Sequence, residues 1–268
     1  TLTSAKPGNT YSLGVTFWNS GSSQDTYILK VYAPSFWEAS LPYDQITVDA
    51  LKSKSLTLTF TAYTKALANE QVKIEVEATS KADVAVSTKA TLLVMVEPTH
   101  GIYTSSVPQT EVLPGAHTSF LVNVTNRGNI QETVQLFLEG ANMGWANLTV
   151  NNITIAPFEI KGVNVRVNVP DHIQNGQKAE VDLAASTSSG LRSTGSIMLK
   201  IGRTFGLNMR IIKDGGNVTP GGSSDLTVNL TNEGNDQDSI DLEYFAPPGW
   251  KVQGEDRITL GAWESLTL

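Results

Sequence analysis

The chain repeats itself at a spacing of about 106 residues, and this period restricts its fold more than any other feature of the sequence. Pro-Gly pairs begin at Pro7, Pro114 and Pro220, which lie 107 and 106 residues apart. Each pair opens an alternating segment that ends in an Asn-x-Gly turn, and the turn residues keep the same spacing: Asn19, Asn126 and Asn232. A period of this length is too long for a solenoid and suits a domain. The sequence therefore predicts three consecutive domains, over 1–96, 97–201 and 202–268.

Within each unit the hydrophobic residues recur with a period of two. Phe120, Val122 and Val124 fall on one face of a predicted strand, whereas Leu121 and Asn123 fall on the other. Similar alternation marks 55–62, 71–78, 162–169 and 240–245, and the third unit repeats the first pattern with Leu226, Val228 and Leu230. Short strands separated by turns, without a convincing helical stripe, predict an all-β fold of tandem immunoglobulin-like β-sandwich domains.

Aromatic and turn residues also follow the repeat. Each unit carries one Trp at the same phase, namely Trp37, Trp145 and Trp250. Large aromatics dominate sandwich cores, so we expect these residues, and also Trp263, to be buried between the sheets. We expect the Asn-x-Gly turns to serve a backbone with positive φ, which Asn and Gly tolerate.

Both ends of the sequence fall inside a unit. Leu268 corresponds to about Val163 of the second unit, so 164–201 has no counterpart in the third. Thr1 lies six residues before Pro7, whereas the second unit has a candidate strand over 101–113 before its own Pro-Gly pair. We therefore expect an incomplete third sandwich and a natural protein that extends in both directions. The missing part could equally be supplied by a strand from another molecule.

Composition excludes several classes of function. The 268 residues include no Cys, so no disulfide framework, zinc-thiolate site or thiol nucleophile is expected. The formal charge of -7 and the absence of a basic stripe argue against nucleic acid as a partner. No segment approaches the roughly 20 apolar residues that span a bilayer, so we expect no membrane span in this part of the protein.

The sequence contains no recognisable catalytic or metal-binding motif. His100, His117 and His172 stand apart from one another, and none has a second ligand at metal-binding spacing. The acidic string 235–241 allows a calcium ion in the third unit, but one acidic residue at this strand start also belongs to the repeat. We favour the second interpretation and predict a protein without catalytic residues, cofactor or metal.

Five N-x-[ST] sequons are the most informative surface feature, at Asn123, Asn147, Asn152, Asn217 and Asn229. All five are predicted glycosylation sites. Asn123 and Asn229 are expected to be accessible because they occupy equivalent outward positions, and Asn152 because it falls in a predicted Asn-Asn turn; Asn and Thr are also ordinary polar strand and turn residues. Trp18 stands where the other units have Thr125 and Thr231, and alternation points it outward. It is a candidate surface contact for a sugar or a neighbouring domain, unless a preceding strand or a neighbouring domain simply covers it.

The order of these features resembles a known domain family. It is similar to the NEW-type Ig-like domain found beside α-galactosidases, and to the related CARDB class. The features that carry the resemblance are a Pro-Gly pair, an alternating strand, an Asn-x-Gly turn, a Gly-Trp pair and the segment VPDHIQNGQKAEVDLAAS (169–186). The resemblance covers the chain in three copies. It implies a domain appended to surface-layer proteins, adhesins, glycosidases or peptidases, and therefore constrains function weakly.

Two functional hypotheses follow. The first is an extracellular structural element, a stalk, spacer or surface-layer component, whose partners are neighbouring domains or copies of the same protein. Its support is the tandem repeat and the short connections, because 91–97 and 196–201 run as final strands almost directly into the next unit. The alternative is an accessory or carbohydrate-binding module of an exported hydrolase, with cell-surface glycans as partners and Trp18 as its support.

Overall fold

A computed structural model describes residues 2–268; Thr1, the first residue of the first predicted domain, lies outside the described range. Over this range the protein is built from β-strands and one short 3-10 helix, Met143–Trp145. The predicted all-β fold of tandem immunoglobulin-like sandwiches is confirmed. No helix in residues 2–268 is long and apolar enough to cross a membrane.

The strands of the first sandwich are β1 (Leu2–Ala5), β2 (Thr10–Trp18), β3 (Asp25–Tyr32), β4 (Glu38–Ser40), β5 (Gln45–Val48), β6 (Ser53–Thr61), β7 (Gln71–Ser80) and β8 (Ser87–Val96). They form a five-stranded sheet, in the order β1-β8-β7-β3-β5, which packs against a three-stranded sheet, β2-β6-β4. The core contains Val48, Phe60, Ile74 and Val94, which alternate with less buried residues along their strands.

The strands of the second sandwich are β9 (Ile102–Thr104), β10 (Val107–Val112), β11 (His117–Asn126), β12 (Glu132–Glu139), β13 (Ala146–Leu148), β14 (Asn152–Ile155), β15 (Ile160–Asn168), β16 (Lys178–Thr187) and β17 (Arg192–Ile201). They repeat the arrangement of the first, with sheets β10-β17-β16-β12-β14 and β13-β15-β11-β9. Val122 is fully buried and Asn123 is exposed, as the predicted strand register requires.

The candidate strand over 101–113 is divided between the two sheets. Its first part, β9, pairs antiparallel with β11, so that Thr104 lies opposite Val124. The chain then crosses to the other sheet, where β10 runs parallel to β17 and Val112 lies opposite Ile201. β1 pairs parallel with β8 in the same way in the first sandwich. The first strand of a unit therefore closes its sandwich by pairing with the last.

The third sandwich is open. Its strands are β18 (Leu207–Lys213), β19 (Thr227–Asn232), β20 (Asp238–Asp241), β21 (Arg257–Leu260) and β22 (Ser265–Thr267). They form two small sheets, β18-β19-β22 and β20-β21, around a core of only Leu230, Ile258 and Leu260. The strand predicted over 240–245 ends early, at Asp241, because no neighbour pairs with its other edge.

The openness of the third unit overturns two of the expected core positions. Trp37 is buried at 8% exposure and Trp145 packs half-buried against the second core, but Trp250 is 63% exposed. Trp250 lacks the opposing strands that cover its counterparts. Trp263 is also not a core residue; it is half-buried and its indole meets the ring of His172 edge-on, with centroids 5.4 Å apart.

Candidate functional site: the joints between domains

The Asn of each Asn-x-Gly turn is a buried hydrogen-bonding residue, and the expected positive φ is absent from these turns. In the second unit the Asn126 amide donates to the carbonyl oxygens of Ile130 (2.7 Å) and Ile155 (3.1 Å). Its Oδ1 accepts the N–H of Gly128 at 2.8 Å. The side chain thus holds the turn against β14 within its own domain, and a buried polar group is stable there because its bonds are satisfied.

The residue three positions later, Asn129, connects two domains. It is 1% exposed, and its Nδ2 donates to the carbonyl oxygens of Ala66 (3.1 Å) and Glu97 (3.0 Å). Its Oδ1 accepts the N–H of Thr99 at 2.7 Å, and its backbone oxygen accepts the N–H of Ala68 at 3.0 Å. Ala66 and Ala68 belong to the first sandwich, so one side chain from the second sandwich ties the end of the first sandwich to the connection between them.

The second joint repeats these bonds. Asn235, also 1% exposed, donates from Nδ2 to the carbonyl oxygens of Ile173 (3.2 Å) and Gly202 (2.9 Å). Its Oδ1 accepts the N–H of Thr204 at 2.7 Å, and its backbone oxygen accepts the N–H of Asn175 at 3.0 Å. Every partner is the repeat counterpart of a partner of Asn129. The two joints therefore share one hydrogen-bond pattern.

The glycine of the turn allows this close approach. A Cβ on Gly128 would collide with the carbonyl oxygen of Thr99, and a Cβ on Gly234 would lie 2.6 Å from that of Thr204. The full joint motif is thus Asn-x-Gly-Asn. Its first Asn stabilises the turn, the Gly admits the incoming chain and the second Asn binds the preceding domain. The second Asn was not among the predicted site residues, although Asn129 and Asn235 keep the repeat spacing.

The first sandwich lacks the second Asn of the motif. Asn19 makes the turn bonds, with Nδ2 donating to Val48 O at 2.9 Å, but the position equivalent to Asn129 is Ser22, which is exposed. Because Ser stands in place of the second Asn, the first sandwich keeps the bonds that stabilise the turn and lacks the bonds to another domain. It also provides a natural control position for experiments on the joints.

The second joint has two contacts that the first joint lacks. Asn175 Nδ2 donates to Asp236 Oδ2 at 2.9 Å across the domain boundary, where the first joint has Ala68 and Ile130. This bond, together with the backbone N–H of Gln237, lowers the pKa of Asp236 from its ordinary value. The edge-on contact between His172 and Trp263 also crosses this boundary.

The acidic string of the third unit is occupied by ion pairs. Arg203 lies 3.6 Å from both Asp236 and Asp238, and Asp241 pairs with Arg257. The equivalent of Asp238 in the second unit, Glu132, is buried against His100 with an Nδ1 to Oε1 distance of 2.6 Å. Residues 2–268 contain no group of three His, Asp or Glu side chains arranged for a metal ion.

The five sequons lie at the surface in different settings. Asn123, Asn147, Asn152 and Asn217 are exposed, whereas Asn229 is half-buried. Asn123 lies in the middle of β11 opposite Gly162, and the Leu121 side chain lies over that glycine. Asn229 instead lies opposite Thr267 and donates to the Thr267 hydroxyl at 3.4 Å. The two equivalent sites are therefore unequal in access.

Trp18 and Phe36 are two of the aromatic side chains that the first sandwich exposes to solvent. Trp18, at the end of β2 opposite Ser53, is 64% exposed. Phe36 is 77% exposed, stacks on Tyr63 with ring centroids 5.1 Å apart, and has a left-handed φ of 69°. The third unit has Gly249 at the corresponding position, with φ 89°, so Phe36 bears a backbone strain that glycine avoids.

Comparisons with known proteins give no family. No family model and no curated protein match the sequence. One similar solved structure is an I-band fragment of titin, with 10% sequence identity and a TM-score of 0.33; the match covers 100% of this chain and 84% of the titin fragment. Another is the first two Ig domains of DIP-gamma, with 11% identity and a TM-score of 0.33; the match covers 75% of this chain and 93% of that one. A protein of unknown function from Porphyromonas gingivalis W83 is also similar, with 12% identity and a TM-score of 0.30; the match covers 73% of this chain and 93% of that one.

Proposed function

We propose that this chain is a non-catalytic structural repeat region, in which repeated joints hold consecutive immunoglobulin-like sandwiches in a constant relation. The observation that carries the proposal is the shared hydrogen-bond set of Asn129 and Asn235. A flexible linker needs no buried side chain between its domains, whereas these joints each bury one and satisfy it completely. A joint that limits bending suits a stalk, spacer or surface-layer element.

The connections between the sandwiches are short enough to support this role. β8 ends at Val96 and β17 at Ile201, and the carbonyl oxygens of Glu97 and Gly202 already accept joint bonds. Little free chain therefore remains between one sandwich and the next. Short, hydrogen-bonded connections limit bending, in contrast to Gly/Ser-rich linkers, which behave as random coils.

The finer parts of the proposal rest on the sequence. We place the protein outside the cell or on its surface, with N-linked glycans on some of the five sequons and neighbouring domains or copies of the same protein as partners. The similarity of the repeat pattern to NEW-type and CARDB-like domains supports this placement. The exposed positions of Asn123, Asn147, Asn152 and Asn217 are compatible with modification.

Distance measurements between spin labels would test the rigid joint. The chain has no Cys, so Ser87→Cys and Ser188→Cys, both at exposed positions, would place one label on each of the first two sandwiches. We expect a single narrow distance distribution. The same pair combined with Asn129→Ala should broaden it, whereas the pair combined with Ser22→Ala should leave it unchanged. A broad distribution in the otherwise unaltered chain would refute the structural role proposed for the joints.

The alternative function, a carbohydrate-binding accessory module, is favoured by the exposed aromatic residues of the first sandwich. Aromatic rings bind sugars through their faces, and both Trp18 and the stacked Phe36 present a ring to solvent. A glycan array with the unaltered chain, Trp18→Ala and Phe36→Gly would test it. Specific binding that either variant abolishes would favour this function over a purely structural one.

A further inference from the structure

Phe36 and Tyr63 form an aromatic pair at the surface of the first sandwich. Their rings stack with centroids 5.1 Å apart and an angle of 26° between the ring planes. Tyr63 is half-buried and packs against the core, whereas Phe36 is 77% exposed. Because Tyr63 covers one face of the Phe36 ring, the opposite face is the one open to solvent. The pair therefore presents a single aromatic face on a support fixed to the core.

The turn that carries Phe36 is strained by its side chain. The turn is closed by a bond from the N–H of the buried Trp37 to the carbonyl oxygen three residues earlier, at 3.1 Å, and the third unit closes the same turn before Trp250, also at 3.1 Å. The residue before the Trp is left-handed in both units, with φ 69° at Phe36 and φ 89° at Gly249. Glycine adopts this conformation freely, whereas a bulky residue there is an outlier. Phe36 accepts this strain without being buried.

The repeat does not require a ring at either position. The second unit has Gly144 at the position of Phe36 and Pro170 at the position of Tyr63, and it forms a complete sandwich. The pair is thus an addition of the first sandwich and not part of the shared core. Strained residues cluster at ligand-binding sites, where the strain holds a side chain in a fixed place.

Four polar side chains lie next to the pair in the chain and indicate the kind of ligand. Ser35 and Glu38 flank the Phe36 turn, and Thr64 and Lys65 follow Tyr63; all four are exposed. A strong protein-protein contact needs neighbours that exclude water around the central ring. A pyranose ring has an apolar C–H face and a rim of hydroxyl groups, so its face fits one aromatic ring and its hydroxyls suit carboxylate, hydroxyl and ammonium partners.

We propose that the open face of Phe36, supported by Tyr63, binds one sugar unit of a neutral glycan. Glu38 and Lys65 carry opposite charges, which favours a ligand without net charge. The inference rests on the carbohydrate-binding alternative proposed above and assigns that function to this pair of rings. Because a single ring face is open, we expect the contact to be weak for each sugar unit.

Trp18 cannot belong to the same sugar site. The strand pair β2 and β6 places Trp18 opposite Ser53 at one end and Thr10 opposite Thr61 at the other, two residues before Tyr63. The eight residues from Thr10 to Trp18 span about 27 Å of extended strand. One sugar unit cannot contact both places, so the two exposed aromatic positions are separable by experiment.

Saturation-transfer NMR would test the site, because the method detects weak binding. The 268-residue chain is mixed separately with β-1,4-linked tetrasaccharides of glucose, mannose and galactose. We expect saturation to reach the ring C–H protons of at least one of these probes. Phe36→Gly and Tyr63→Ala should each weaken its binding about tenfold, as removal of a central aromatic contact does. Trp18→Ala is the matched control and should leave binding unchanged.

Hydrogen exchange of the first sandwich separates loss of the site from loss of the fold. Phe36→Gly should leave the exchange of the buried strands unchanged or slower, since glycine relieves the left-handed strain as the stack is lost. Faster exchange throughout this sandwich in Phe36→Gly would assign the ring a structural role and overturn the proposal.

Two binding results would also overturn it. Binding that Trp18→Ala abolishes and Phe36→Gly retains would place the sugar site at the other end of β2 and leave the carbohydrate-binding function standing. No saturation transfer to any of the three probes in the unaltered chain would remove both the site and that function. The joint function is unaffected by either result, because the spin-label distances test it separately.

Discussion

The side-chain amide of Asn129 in the second sandwich donates to the backbone oxygen of Ala66 in the first, over 3.1 Å and out of contact with solvent. Asn235 makes the equivalent bond to Ile173 at the next boundary, at 3.2 Å. A side chain that satisfies backbone groups of two domains couples their positions, because displacement of either domain leaves buried polar atoms without partners. This coupling is the physical basis of the predictions about the joints.

Replacing Asn129 by Ala should weaken the first joint by about 1–3 kcal/mol, the usual cost of leaving buried polar groups unsatisfied. The carbonyl oxygens of Ala66 and Glu97 lose their donor, whereas the bonds within each sandwich remain. Hydrogen exchange should therefore quicken at the N–H groups of the joint, such as Ala68. Asn126→Ala is the comparison, because it should destabilise the second sandwich itself. Equal loss of protection throughout that sandwich in both variants would contradict a specific joint role.

Substituting Gly128 by Ala should disturb the first joint sterically. The new Cβ would meet the carbonyl oxygen of Thr99, and the backbone must move to relieve the clash. Gly14→Ala is the matched control, since nothing lies within 4 Å of a Cβ at that position. We expect the spin-label distance between the first two sandwiches to shift in Gly128→Ala only. An unchanged distance in both variants would show that the close approach is dispensable.

The second joint should loosen in acid before the first. The pKa of Asp236 is lowered because Asn175 donates to its carboxylate, so this bond contributes stability above the pKa of the unfolded state, about 4. The contribution is lost as the pH falls through the lowered folded pKa. Hydrogen exchange of the Asn175 N–H, compared with that of Ala68, should reveal the difference. Asp236→Asn should remove the pH dependence; its persistence in that variant would assign it to another group.

Removing the repeated Trp residues should have unequal effects. Trp37→Ala should destabilise the first sandwich by about 3–5 kcal/mol, as expected for a large buried aromatic. Trp250→Ala, at a 63% exposed position, should change stability by less than about 0.5 kcal/mol. Urea unfolding followed by hydrogen exchange would resolve the individual units. A large cost for Trp250→Ala would mean that the third sandwich is closed in solution.

Glycosylation should favour Asn123 over Asn229. Asn123 is exposed beside Gly162, whereas Asn229 is half-buried and bonds to Thr267. Glycopeptide mass spectrometry of protein from its native host would measure occupancy at all five sequons. Thr267→Ala, which removes the hydroxyl partner, should raise occupancy at Asn229 without altering Asn123. Unmodified peptides at every sequon would remove the glycoprotein part of the proposal.

The sequence by itself determined the period, the strand pattern and the inward faces. The period of two places Val122 inside and Asn123 outside, because alternate side chains of a strand point to opposite faces whatever lies beyond them. The spacing of the Pro-Gly pairs likewise predicted three units, and the missing counterpart of 164–201 predicted an incomplete third one. These properties are local or periodic, so they can be predicted from the order of the residues alone.

The tertiary structure decided what depends on partners distant in the chain. Asn129 bonds to Ala66, 63 residues earlier, so no local pattern distinguishes it from an ordinary turn residue. Trp250 keeps the repeat phase of Trp37 and yet is exposed, because burial requires opposing strands and a sequence position alone does not supply them. Residues 101–113 are divided between two sheets because β10 pairs parallel with β17. The counterpart β18 has no such partner and therefore stays in one sheet, paired with β19. Hydrogen-bond partners and covering surfaces depend on how the sheets assemble, and the alternation of residues along a single strand does not determine them.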